Sequence, residues 1–169
     1  MKKMLFIFIL VIMSAIVFLS CASGSVKGKI STIKTLSGDS FEAIVLLDNI
    51  WESAKIARSN DNNYILYVDI MTNGSARPGS VIIYIDGNRF NIANPTDWNL
   101  DDVSVSQYGT AYYWSTYKPL GNSIIEAIKN ANNISIRAVG GNAFMAKDEG
   151  VDISKILPEL KGFVNKNSK

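Results

Sequence analysis

From Phe41 to Tyr117 the chain is a series of short apolar runs, each bounded by a cluster of Asn, Asp, Gly or Ser. Runs this short, separated this often by turn residues, predict strands joined by hairpins rather than long helices. The segment Tyr64-Ile65-Leu66-Tyr67-Val68-Asp69-Ile70-Met71 shows the pattern best. Tyr64, Leu66, Val68 and Ile70 fall on one face, and Tyr67 and Asp69 on the other, wetter one. Trp51 to Arg58 reads as its hairpin partner, because the stretch 59–63 is dense in residues that tolerate turns. After a Gly/Pro loop at 73–79, Val81, Ile83 and Ile85 alternate with Ile82, Tyr84 and Asp86. Asp86-Gly87-Asn88 then signals a tight hairpin, with Arg89 to Ile92 as the returning strand.

Other segments carry weaker patterns. Lys29 to Thr35 alternates faintly. Phe41 to Leu47 is apolar throughout, which suits a short helix or a buried strand, and is read as strand. Asn94 to Asp102 is expected to be polar and irregular around Trp98. Val103 to Gln107 and Ala111 to Tyr117 should pair through a turn at Tyr108-Gly109-Thr110, and Lys118-Pro119 should end the sheet. Helical signals start only afterwards. Ser123-Ile124-Ile125-Glu126 has the form of a capping box, and Ile124, Ala127, Ile128 and Ala131 form an apolar stripe before Asn132-Asn133. Ile134, Ile136 and Ala138 predict another strand, Gly140-Gly141-Asn142 a turn, and Ala143 to Lys147 its return. A last helix runs from Ser154 to Val164, with Ile156, Leu157, Leu160, Phe163 and Val164 inward and Pro158 in its first turn, where losing an amide does least harm. Seven to nine strands joined by short turns predict an α+β fold, mostly β: an antiparallel sheet or sandwich with two late helices packed on one face or end. The order from the first helix onward resembles the C-terminal part of small exported β-sandwich proteins, a likeness that implies no function.

The N-terminus has a different character. Lys2 and Lys3 precede an apolar run, Met4 to Leu19, broken only by Ser14, and Ser20-Cys21-Ala22-Ser23 follows. A basic start, an apolar stretch and small residues make a secretory signal. Cys21 at its end resembles the lipobox of bacterial lipoproteins. Ser20 fits the box, while Phe18 and Leu19 depart from its strict form. The resemblance implies cleavage before Cys21, acylation of its sulfur and anchoring to a bilayer. Ala22, in place of the Asp that retains some relatives at the inner membrane, implies the outer membrane. Cleavage after Ala22 without lipid stays open. So does a retained anchor, although the run is short for a spanning helix. The expected organisation is a signal peptide at 1–20, a lipidated Cys21 with a flexible tether to 28, and one β-rich domain at 29–169. One ordinary domain of that length can bury a proper core.

Composition limits the chemistry. The chain has no His, and Cys21 is its one cysteine. A Ser-His-Asp or Cys-His site, a disulfide in the mature domain, and a zinc site built on His or Cys are therefore excluded within one chain. Lys2 and Lys3 account for the whole formal charge of +2, so the mature chain has no basic field for nucleic acid. Ser154-Lys155 reads as a helix cap followed by a surface lysine rather than a nucleophile pair. Gly140-Gly141 belongs to no phosphate loop. No cofactor is expected.

Two clusters remain. Asp97, Asn99 and Asp101 alternate like the start of a calcium loop, but Asp102 stands where such a loop needs Gly, and Tyr108 where it needs a bidentate Glu. The other cluster is aromatic: Tyr108, Tyr112, Tyr113, Trp114 and Tyr117. On a strand, Tyr113 and Tyr117 share one face and Tyr112 and Trp114 the other, so one set should be core and the other open to a partner. Ordinary cross-strand packing is the plainer explanation of them. The functional expectation is a non-enzymatic, lipid-anchored envelope protein that binds a protein or glycan partner or serves in assembly, with Tyr112, Trp114 and Trp98 as candidate contacts. The alternatives are a carboxylate-based envelope hydrolase acting through the segment from Asp97 to Asp102, and a surface-exposed adhesin or antigen.

Overall fold

The computed structural model describes residues 25–34, 40–49, 51–59, 61, 63–107, 109–139 and 150–166. The expected α+β, mostly β architecture is present as two antiparallel sheets and two short late helices. The larger sheet contains β1 (Ser25–Val26), β2 (Ile30–Lys34), β3 (Ser40–Asp48), β4 (Glu52–Arg58), β5 (Tyr64–Thr72), β8 (Asn99–Ser106) and β9 (Gly109–Leu120). Its order is β1-β3-β4-β5-β9-β8, with β2 lying beside β1 along the same edge of β3. The smaller sheet has the order β11-β10-β6-β7, from β6 (Val81–Ile85), β7 (Asn88–Ala93), β10 (Ile134–Ala138) and β11 (Val151–Asp152). Helices α1 (Asn122–Asn130) and α2 (Leu157–Asn165) pack against each other.

One hydrophobic cluster joins all of these layers. It runs from Ile44, Ile56, Leu66 and Val68 of the large sheet to Ile83, Ile85 and Ile136 of the small one, and on to Ile128, Leu160 and Phe163 of the helices. The helices close one end of the large sheet. Tyr64, at the start of β5, meets the Phe163 ring edge-on at 6.2 Å and donates its hydroxyl to the Val164 carbonyl at 2.9 Å. Arg58, at the end of β4, bonds the Lys166 carbonyl and the Glu42 carboxylate. The opposite end of the same strands carries the candidate site.

Several expectations need correction. The strands number eleven among the described residues, not seven to nine, because two-residue β1 and β11 are pairs too short for any sequence pattern. Ser25–Val26, inside the stretch expected to be tether, pair with Leu47 and Asp48. Asn94 to Asp102 is not irregular throughout: Pro95–Asp97 form a 3-10 turn, and β8 starts at Asn99. Pro119 does not end the sheet, because β9 continues to Leu120. Beyond Ser115 that strand has left β8 behind, and a missing amide on a one-sided stretch is tolerated. The capping box at Ser123 is not used. The α1 N-cap is Gly121, and its carbonyl accepts the Ile124 and Ile125 amides at 3.0 and 3.2 Å. Ile125, not Ile124, is the buried partner of Ile128. Ser154 is not an N-cap; its Oγ accepts the Ile134 amide at 3.0 Å and ties the last helical segment to β10. Ala143 to Lys147 lies outside the described residues.

Candidate functional site

The sequence-derived contacts divide between the core and the surface. Trp98 is 2% exposed and donates Nε1–H to the Gly79 carbonyl at 2.6 Å. Trp114 is 6% exposed and donates Nε1–H to Thr72 Oγ1 at 3.2 Å. Tyr112 is half-buried and packs against the same core. Both indoles are held in the core by these bonds, although Trp114 also contributes to the wall of the cavity described below. An indole can be buried at little cost when its N–H finds an acceptor, and both have found one. The other aromatic face is the open one: Tyr113 and Tyr117 are exposed, and Tyr117 lies 6.0 Å from Tyr67 across the β5–β9 pair. The Tyr67 hydroxyl is pushed up from its ordinary pKa, first by burial and then by the neighbouring Tyr117.

The calcium reading of residues 97–102 loses its geometry, and Asp97 and Asp102 are engaged in local bonds. Asp97 Oδ2 accepts the Asn94 amide at 2.8 Å, and Oδ1 pairs with Lys118 Nζ at 2.7 Å. The Asn94 amide bond and then the Lys118 ammonium hold the Asp97 carboxyl below its usual range. A side chain that closes a turn and faces an ammonium is poorly placed to bind calcium or move a proton. Asp102 Oδ1 accepts the Val103 amide at 2.8 Å, and Asn99 is exposed on β8. Among the described residues no three carboxylates stand close enough to hold one metal ion.

Asp101 has a different position. The β8–β9 register jumps from Leu100 opposite Trp114 to Asp102 opposite Tyr113. Asp101 is thus the extra residue of a β-bulge, a feature that re-aims a side chain. It lines a cavity of about 370 Å³ at the end of the large sheet, together with Asp48, Asn49, Trp51, Glu52, Asp69 and Tyr113.

The local sequence explains how this cleft forms. β4 begins only at Glu52, opposite Ile70, while β5 runs on to Thr72, so Met71 and its β9 partner Tyr113 extend past the start of β4. The turn from β3 to β4 is held by Asn49, whose Oδ1 accepts the Trp51 and Glu52 amides at 2.8 and 3.0 Å. The Trp51 carbonyl in turn accepts the Met71 amide at 2.6 Å. Trp51 is fixed at the backbone while its ring stays 38% exposed, close to the 37% of Tyr113. Asp69 is exposed and accepts the Ser53 hydroxyl at 2.8 Å. Glu52 is buried at 2% exposure and accepts Asn49 Nδ2 at 3.3 Å. Asp48 pairs with Lys27 at 2.7 Å at the rim. No lysine or arginine is among the lining residues. The Arg77 guanidinium stacks on the Trp114 ring at 5.8 Å.

Sequence reasoning placed Asp69 on a wetter face, but it left open which aromatic face of β9 was exposed and chose Tyr112 and Trp114 over Tyr113 as contacts. Parity gives a face, not a register. The pairings of Asp69 with Ser115 and Met71 with Tyr113 were needed to join Asp69 to Tyr113, and no local signal marked Trp51 as open. The chain matches no known family model, and neither the curated proteins nor the solved structures give a match, so the reading of this cleft rests on its own chemistry.

Proposed function

We propose that this chain is a non-enzymatic, lipid-anchored protein of the bacterial cell envelope whose β-domain binds a partner through the cleft at the end of its large sheet. The observation that carries the binding role is the cleft itself, in which two half-open aromatic rings stand on fixed backbone among carboxylates. Rings held this way present contact area at little entropic cost. The anchoring role rests on the signal anatomy and on Cys21. Three residues separate Cys21 from Ser25, and the four steps between them reach about 14 Å at most when extended. Ser25 pairs with Asp48 at the rim of the cleft, so anchoring would hold the cleft near the bilayer surface. The outer membrane is the proposed address.

Replacing Cys21 with Ser tests the anchor. The variant should leave the membrane fraction and lose its fatty acids by mass spectrometry of the N-terminus. A variant that stays membrane-bound at unchanged mass would refute lipidation. Protease shaving of whole cells separates a surface adhesin or antigen, which is cleaved, from a periplasm-facing protein, which is not.

A further inference from the structure

We infer that the cleft binds an extended, basic protein segment, with lysine or arginine side chains laid across the strand ends; this rests on the reading of the chain as a binding module. The argument starts from where the carboxylates lie. Asp48 belongs to β3, Asp69 to β5 and Asp101 to β8, and the strand order is β3-β4-β5-β9-β8. Each acid is two strands from the next, or about 10 Å at the usual spacing. The three form a row of about 20 Å across the sheet rather than a point of convergence, consistent with the lack of a metal-holding triad among the described residues.

One compact cation can meet one member of such a row. An extended chain rises about 3.3 Å per residue, so basic side chains about three residues apart match the spacing. The rings add a second preference. Trp51 and Tyr113 line the same cavity, and aromatic rings attract an ammonium or guanidinium. The lining carries Asp48, Glu52, Asp69 and Asp101 and no lysine or arginine, while Lys27 pairs with Asp48 at the rim and Arg77 lies over the lining ring of Trp114.

Hexalysine is the probe, added to the purified full-length chain in non-ionic detergent and followed by tryptophan fluorescence. Trp51 is the exposed indole, whereas Trp98 and Trp114 are buried. Saturable binding is expected, weakening as salt rises. An Asp69→Asn, Asp101→Asn double variant should bind about tenfold more weakly or worse, from loss of two complementary charges. Trp51→Phe should reduce the signal and bind a few-fold more weakly. Asp61→Asn, in the β4–β5 turn away from the cleft, should change nothing, and thermal melting checks that each variant is folded. Equal weakening by Asp61→Asn, or none by the double variant, would overturn the assignment. Lysine amide binding as tightly as hexalysine would overturn the extended segment and favour a small amine. A neutral oligosaccharide binding in place of hexalysine would overturn the cationic ligand yet leave the binding module standing. Absence of all binding removes both, while the Cys21→Ser fractionation still decides the anchor separately.

Discussion

The three tryptophans show how one side chain takes different roles according to its polar atom. Trp98 and Trp114 each donate their N–H inside the protein, and each fills core volume. Trp51 sits on a turn with its ring in the cleft. Trp98→Ala should cost about 3–5 kcal/mol, from lost burial and the cavity left behind. Trp51→Ala should stay within about 0.5 kcal/mol of the parent, as exposed substitutions do. Urea denaturation of both variants checks this, and a costly Trp51→Ala would mean the ring is structural. At this scale the sequence was half legible. Alternation split the aromatic strand into Tyr113 with Tyr117 and Tyr112 with Trp114. Which pair lay inward depended on where the rest of the fold covers β9, and a single strand carries no record of its cover.

Among the elements, those with a buried face were readable and those without one were not. Tyr64–Thr72 alternates as its sequence does, and Asp86 and Gly87 take the positive φ values, 48° and 81°, of a two-residue hairpin turn. Phe41–Leu47 was ambiguous because β3 is buried on both faces over its central residues, which erases the period. Asn99–Ser106 was only partly recognised because every residue of β8 is exposed. Without a buried side there is no apolar alternation to see. β11 depends on one backbone position that sequence alone does not reveal. Gly150 has φ of +69°, and a Cβ there would lie 2.6 Å from the Ile136 carbonyl oxygen. Gly150→Ala must carry left-handed strain of about 1–2 kcal/mol and push β11 from β10. A lower Tm by several degrees is expected, and an unchanged Tm would show that the turn relaxes freely.

For the whole molecule, one carboxylate adds to the bonds that tie the end of α2 to the sheet. Glu42 of β3 pairs with Arg58 at 2.6 Å and Lys166 at 3.0 Å, and Arg58 lies over the Phe163 ring at 5.4 Å. The Lys166 hydrogen bond, above all, holds the Glu42 carboxyl below its ordinary pKa of 4.5. A lowered folded value means that this contribution is complete above the ordinary range and is lost as pH falls through the lowered one. Melting from about pH 5 to about pH 2 should therefore show a steep fall in Tm that Glu42→Gln flattens. Parallel curves for the two proteins would show that the clamp contributes nothing. The pairing could not be seen in the sequence, since Glu42 and Lys166 stand 124 positions apart.

The rim at β8 has a consequence for proteins crowded in a plane. Among the described residues no strand lies on its outer side, and it shows Val103 and Val105 to water at 41% and 77% exposure. The Val103 amide is already occupied by the carboxylate of Asp102, and a bulge bends the strand beside it. Any neighbour arriving edge-on must first displace a negative charge to reach that donor. Were the chain tethered as proposed, molecules side by side on a bilayer would meet an edge guarded against zipping into fibrils.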